Sequence, residues 1–291
     1  MDISKYSIFV RTVDLGSLTK AGYELGYTQS AASHMLSSLE NELGFPLLLR
    51  SRSGIKLTSA GETILPLARE IVRCSTQLTQ LADAINGLET GIVEVATFTS
   101  VAIQWLPSII SAFKELYPGI AIRILDGDYE QVESWISSGR ADCGFVVQNH
   151  ELEFSTTPLA DDRLLVILPE GHRLCSYKKI PLRELRKEAF IIPAEGIKYN
   201  VGDILKKASL KPEKSFNMAS DYSAVAMVKG GHGITILPEL VLKGISASGI
   251  EVRELEEYGM RTICLASLSP DKLSPAVKRF IKFVKSWVAT H

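Results

Sequence analysis

The sequence predicts an α/β fold with an N-terminal all-α winged helix-turn-helix. Three observations carry that expectation. Residues 1–58 read as short amphipathic helices followed by a small basic hairpin. Apolar residues then recur at heptad spacing from Leu67 to Leu88. Beyond Gly91, short β-rich runs alternate with helical stretches, the pattern of an α/β domain. A chain of 291 residues has room for two or three compact units. Its 46% hydrophobic and 22% charged content suits a folded protein and excludes a disordered one. The net charge of −1 advertises no nucleic-acid partner, so any such role needs a local surface.

The first helix takes its apolar face from Tyr6, Phe9, Val10 and Val13, and Asp14-Leu15-Gly16 ends it. Ser17 is placed to cap a second helix carrying Leu18, Ala21 and Leu25. Gly26-Tyr27 turns the chain, and Thr28 opens a third helix. In that helix Ala32, Met35, Leu36, Leu39 and Leu43 form a core-facing stripe at three- and four-residue spacing. Opposite lie Ser30, Ser33, His34, Ser37 and Asn41, a polar face almost without charge. Two helices joined by a short glycine-containing turn make a helix-turn-helix, whose second helix enters the major groove.

After Gly44 two short apolar runs, Leu47 to Leu49 and Ile55 to Leu57, flank Arg50-Ser51-Arg52-Ser53-Gly54. This reads as a hairpin with arginines at its tip, which completes a winged helix-turn-helix. Alone, a basic hairpin is better explained as a solvated loop, but following the uncharged polar helix it reads as a minor-groove or phosphate contact. Ser59-Ala-Gly-Glu62 has capping-box spacing and opens a long helix to about Leu88, with Pro66 tolerated in its opening turns. Leu67, Cys74, Leu81 and Leu88 recur every seven residues beside Ile71, Leu78 and Ile85. A helix of roughly 30 residues is about 45 Å long. A domain of 58 residues cannot cover that stripe, which therefore calls for pairing with a second copy.

In the C-terminal part, "GIVEVAT", "IAIRIL", "DCGFVV", "RLLVILP", "AFIIP" and "GITILP" read as strands. Helical stretches lie around Ile103–Tyr117, Tyr129–Ser138, Val201–Ser209 and Tyr222–Lys229. The alternation implies about 200 residues of mostly parallel sheet, large enough for two lobes with a cleft. A last helix, Pro275 to Ala289, packs through Val277, Phe280, Ile281, Val284 and Val288.

Other chemistry finds little support. The five histidines show no HExxH or paired-ligand spacing, so no metal site is expected. There is neither a GxSxG elbow nor a GxxxxGK[ST] loop. "DGDYE", residues 126–130, has alternating carboxylates but lacks the rest of a calcium loop, and reads as a strand-end turn. "GGHG", residues 230–233, reads as a helix C-terminal turn. Cys74, Cys143, Cys175 and Cys264 form no CxxC pair and suit a reducing compartment. No signal peptide or membrane-length run is legible, so a cytoplasmic, non-membrane protein is expected. The rival classes are an enzyme and a transport-type binding protein. The latter would need an export signal and has no use for residues 1–90.

The segment "GSLTKAGYELGYTQSAASHMLSSLENELGFPLLLRSRSGIKLTSAG" resembles the N-terminal motif of LysR-type transcriptional regulators in order and spacing. "LPEGHRL" and "AMVKGGHGITILP" are similar to the family's C-terminal segments, so the resemblance spans essentially the whole chain. Gly22 replaces the second alanine of a usual pair and Leu48 a common phenylalanine, packing changes that remove no DNA-contacting group.

The resemblance implies a winged helix-turn-helix over 1–58, a dimerising linker helix over 59–90 and an effector domain over 91–291. That last domain would resemble periplasmic binding proteins, with lobe I at about 91–161 and 267–291 and lobe II at about 162–266. It also implies a homotetramer, a dimer of dimers, on double-stranded DNA with an interrupted palindrome. No enzyme activity and no cofactor are expected. Short uncharged side chains let a helix lie deep in the major groove. Gln29, Ser33 and His34 are the expected base contacts, with Thr28 and Ser30 nearer the backbone. Arg52 would reach the minor groove and Arg50 a phosphate. The competing reading of the third helix is a serine-rich solvated face.

For the effector, Thr99 and Ser100 stand at a strand-to-helix junction that suits a carboxylate, although simple helix capping also explains them. Tyr129 aligns with a cleft-lining position, Gln148 lies near the lobe crossing, and the turn with Glu195 and Gly196 ends a strand of the opposite lobe. A small carboxylate-bearing metabolite is expected, with Glu195 and Asp128 favouring one that also carries an amino group.

Overall fold

The computed structural model describes residues 2–51, 54–87, 89–148, 154–193, 204–206, 215–257, 259–268 and 273–291, apart from the side chains of Arg50 and Ser51. Three helices open the chain: α1 (Ile3–Leu15), α2 (Leu18–Glu24) and α3 (Gln29–Leu43). Asp2, Ser17 and Thr28 cap them, each side chain accepting a hydrogen bond from a backbone N–H of the first turn. Gly16 and Gly44 end α1 and α3 in the left-handed conformation that glycine adopts without cost. Phe9, Ala32, Leu36 and Leu39 are buried together, so the apolar stripe of α3 faces the core. A Cβ at Gly22 would lie 3.1 Å from that of Ala32. The glycine found there lets α2 and α3 approach closely.

The wing is an antiparallel pair, β1 (Leu48–Ser51) and β2 (Gly54–Leu57), with Leu48 opposite Leu57 and Ser51 opposite Gly54. Arg52 lies outside the described residues. The linker helix α4 spans Ser59–Ile85. Its cap is Thr58, whose hydroxyl accepts from the Gly61 N–H at 2.9 Å, rather than the expected Ser59. Thr58 directly follows β2 and has extended geometry, while Ser59 is inside the first turn. Ile71 packs on the helix-turn-helix core. Leu67, Leu78, Leu81 and Ile85 stay exposed, Leu78 and Ile85 by 71% and 79%.

Beyond α4 come β3 (Gly91–Phe98), α5 (Thr99–Gln104), α6 (Leu106–Leu116), β4 (Ile120–Gly127), α7 (Tyr129–Ser137) and β5 (Cys143–Val147). The strand β6 (Ser155–Pro169) follows, then β7 (Lys179–Ile180), β8 (Phe190–Pro193) and β9 (Ser215–Met218). The remainder is α8 (Asp221–Lys229), β10 (Thr235–Pro238), α9 (Glu239–Leu242), β11 (Ile250–Leu255), β12 (Met260–Ser267) and α10 (Pro275–Thr290). One sheet path, β4-β3-β5-β12-β6-β11-β7, runs through both lobes. The first half of β6 pairs with β12, its second half with β10 and β11.

Two further expectations need correction. The sheet is mixed, not mostly parallel: β3 pairs in parallel with β4 and β5, but β12 and β6 return antiparallel through the middle. The chain also re-enters the first lobe at about residue 260, not 267, because β12 is hydrogen-bonded between β5 and β6. In lobe I, α6 and α10 pack on one face through Phe113 and Phe280, and α7 covers the other through Val132 and Ile136. Lobe II buries Val166, Leu168, Phe190 and Ile236 on one side and Val225 with Leu237 on the other.

The "SAG" turn leaves no room at Gly61, where an added Cβ would lie 2.2 Å from the Leu47 carbonyl oxygen. Gly61→Ala should force the wing away from α4 and destabilise the N-terminal unit by roughly 1–3 kcal/mol. Thermal unfolding reports it, and an unchanged midpoint would mean that the wing relaxes without cost.

Candidate functional site

The outer face of α3 presents Gln29, Ser30, His34 and Ser37 to solvent, with Thr28 exposed at its cap and Ser33 half-buried. Opposite them Ala32, Leu36 and Leu39 anchor the helix, so this polar face projects from a rigid base. The wing is tied to the same helix. Glu40 accepts hydrogen bonds from the N–H groups of Leu47 and Leu48 at 2.7 and 3.2 Å. Lys5 of α1 reaches across to Ser38 and Glu42. The backbone of Arg50 is in β1, and its side chain, like Arg52, lies outside the described residues.

A second constellation gathers where the lobes meet. Its centre, Arg261 on β12, was not foreseen from sequence. This side chain is 3% exposed and faces Asp162, its cross-strand partner on β6. Its Nε and Nη2 donate to Asp162 Oδ2 at 2.9 and 2.7 Å, Nη2 also donates to Ser100 Oγ at 2.9 Å, and Nη1 donates to the Tyr129 hydroxyl. The guanidinium lies 5.2 Å from the Phe98 ring centroid. Asp162 spends its other oxygen on the Leu240 N–H of α9 at 3.0 Å. One buried ion pair thus binds lobe I, the crossing strands and lobe II.

The expected effector residues divide around it. Ser100 is buried at the start of α5, and its hydroxyl serves Arg261 instead of capping the helix, whose cap Phe98 makes no side-chain hydrogen bond. Thr99 and Ser100 line a small cavity between the lobes with Ile103, Gln104, Asp221 and Leu240. Tyr129 is buried beneath it against Phe98, holding Arg261 rather than lining that cavity. Gln148 is exposed at the end of β5, its N–H donating to the Thr262 carbonyl at 2.8 Å, and is not among the cavity's lining residues. Glu195 and Gly196 lie outside the described residues. Asp128 caps α7, in a capping box with Gln131. Among the described residues no group of His, Cys, Asp and Glu is placed to hold a metal, and no helix is long and apolar enough to cross a membrane.

Asp221, at the first turn of α8, brings an acid from lobe II to face Thr99 and Ser100. Burial pushes its carboxyl up to about 6, against the pull of Arg261. Sequence reading missed it because an acid in a helix's first turn usually stabilises the helix in water. The cavity measures about 10 Å³, the room of a single water.

Comparison with known proteins places both regions. Residues 86–289 match the family described as "LysR substrate binding domain", and residues 3–62 match "Bacterial regulatory helix-turn-helix protein, lysR family". The uncharacterized HTH-type transcriptional regulator YvbU of Bacillus subtilis is 31% identical over 98% of both chains. Full-length OxyR from Pseudomonas aeruginosa superposes with a TM-score of 0.80 at 20% identity, over 99% of this chain and 94% of that one. The effector-binding domain of QuiR, solved in complex with shikimate, matches at TM-score 0.61 and 20% identity, covering 69% of this chain and 99% of its own.

The raised Asp221 pKa fixes the sign of a pH effect. Between the ordinary carboxylate range and about 6 the folded protein holds a proton that the unfolded chain has lost. Stability contributed by that proton is therefore present at low pH and lost as pH rises through 6. Asp221→Asn should remove this slope, leaving the variant more stable at pH 7.5 by on the order of 2 kcal/mol. Parallel melting curves from pH 4.5 to 7.5 decide it, and identical slopes would mean that Asp221 is solvated.

Proposed function

The chain belongs to the LysR family of transcriptional regulators, and from that premise we propose that it reads an interrupted palindromic operator and reports a small carboxylate-bearing metabolite. Members of the family bind DNA and small-molecule effectors and oligomerise, and they are regulators rather than enzymes. The observation that carries the reading is the pairing of two surfaces on one chain. One is an uncharged, exposed face on α3, and the other is a small cavity between the lobes where Thr99, Ser100 and Asp221 meet.

On the DNA side, Gln29, Ser33 and His34 contact base edges while Thr28 and Ser30 sit nearer the sugar-phosphate chain. Long acidic side chains at these positions would meet phosphates and be repelled, and none is present. Arg50 and Arg52 extend from the wing to phosphate and minor groove. Two copies pair through α4, which supports the reading by leaving Leu67, Leu78, Leu81 and Ile85 uncovered in the single chain. Two such dimers make the tetramer that spans both half-sites, in the cytoplasm where the DNA is.

On the effector side, Thr99 and Ser100 hold the carboxylate from lobe I, and Glu195 and Gly196 are further ligand contacts. The shikimate-bound QuiR domain supports a carboxylate ligand, since shikimate is itself one. Asp221 supports a ligand that also offers a hydrogen-bond donor, because a carboxylate facing the cleft needs one when it ionises.

Two experiments test the two halves. Ser33→Ala or Gln29→Ala should weaken specific binding by about 1–3 kcal/mol with little change on random DNA. Both constants are measured at one salt concentration, and equal losses on both DNAs would assign the residues to positioning. Ser100→Ala should abolish the effector response while leaving operator affinity without effector nearly intact. A wild-type dose curve in that variant would place the effector elsewhere.

A further inference from the structure

The winged helix-turn-helix is docked on lobe I of its own chain through charge. Arg11 on α1 pairs with Glu24 at the end of α2 and, at 3.4 Å, with Glu94 on β3 of lobe I. Arg123 of β4 stands directly across the sheet from Glu94 and pairs with it at 3.4 Å and with Glu24 at 3.3 Å. Two acids and two arginines thus alternate across the seam. A second group joins the first through Arg11 and Asp14, 3.5 Å apart. Asp14, whose side chain is buried, pairs with Arg69 of α4 and with Arg140 after α7 at 3.6 Å. Arg140 also donates to the Asp14 carbonyl at 3.3 Å.

These groups line a cavity of about 300 Å³ enclosed by α1, α2, α4 and the rim of lobe I. An apolar seam would fix the two bodies permanently. Ion pairs at the rim of a cavity that also exposes Val10, Leu25, Val72 and Ile92 sit close to balance, because the charge lost to water nearly offsets the attraction. Such a seam responds to small displacements. The strand that carries Glu94 leads without interruption to Thr99 and Ser100, five and six residues on and about 17 Å away.

We propose that this network is an electrostatic clamp that sets where the DNA-binding unit sits on lobe I. When the lobes move about Ser100, β3 carries Glu94 with it, and the clamp re-seats or releases the helix-turn-helix. Arg11, Glu94 and Arg123 are positioning residues, and what they position is the separation of the two recognition helices in the assembled protein. This regulatory part rests on the cleft being the effector site; the docking itself does not.

The test uses the full chain carrying Glu94→Gln together with Arg123→Gln. Neither residue is part of the α3 face or the cleft. Amide hydrogen exchange in residues 11–24 should rise roughly three- to tenfold, while the amides of Leu36 and Leu39 keep wild-type protection. In wild type, raising salt from 0.1 to 0.5 M should produce the same local change. On operators with stepped half-site separations, the variant should accept a wider range than wild type at unchanged single half-site affinity. Wild-type exchange and an unchanged spacing preference in the variant would overturn the clamp. So would loss of protection across all of α1–α3, which would make these residues ordinary stabilisers of the N-terminal unit. A variant that behaves as expected in exchange while wild type ignores every candidate effector would instead count against the cleft reading.

Discussion

The buried pair of Arg261 and Asp162 is the constraint on which the effector domain depends. Taking both charges out of water is costly, and the pair persists because almost every donor is used: Asp162, Ser100, Tyr129 and the Phe98 face surround the guanidinium. Its partners come from α5, α7, β6 and, through the Leu240 N–H, α9. Losing one member would strand the other charge, at about 3–5 kcal/mol. That asymmetry fixes register. A slip of one residue between β6 and β12 would turn either Arg261 or Asp162 to the opposite face of the sheet. The lobes can move only in ways that leave this centre intact.

The N-terminal unit solves a different problem with weaker parts. Its recognition helix needs a firm back and a bare front. Leu36 and Leu39 supply the back, and Glu40 locks the wing to α3 through two backbone amides. The front carries no charge of its own, so orientation must be supplied by what surrounds it. The linker helix supplies part of it through Ile71 and Arg69, and lobe I supplies the rest across the charged seam. Packing holds each body rigid, and polar contacts hold the bodies to each other.

Much of this was legible in the sequence, for identifiable reasons. Caps at Ser17 and Thr28, the αL glycines and the stripe on α3 are local rules that act within one turn of chain. The helix cap at Thr58 was missed by one residue because Ser59 is an equally good capping type and only the course of β2 chooses between them. β11 and β12 escaped notice because charged and polar residues interrupt their apolar pattern, Arg253 and Arg261 among them. Arg261 could not be found at all by spacing: its partners are 99, 132 and 161 positions away. Ser100 was singled out as a ligand-facing hydroxyl, and Tyr129 as a cleft wall. What links the two, a shared guanidinium, belongs to the folded chain alone.

The interleaving of the lobes also orders events during synthesis. β12 lies between β5 and β6 in the sheet, yet it is made more than a hundred residues after β6 begins, at 260 against 155. Until it emerges, lobe I is two separate pieces with an exposed edge on each, and α10 has not arrived to cover Phe113. The N-terminal unit can close on the ribosome almost at once, and much of lobe II can follow. Lobe I must wait for the last thirty-odd residues of the chain. Its unfinished edges are where a nascent copy is most exposed to the wrong partner, and where a chaperone would find the most to hold.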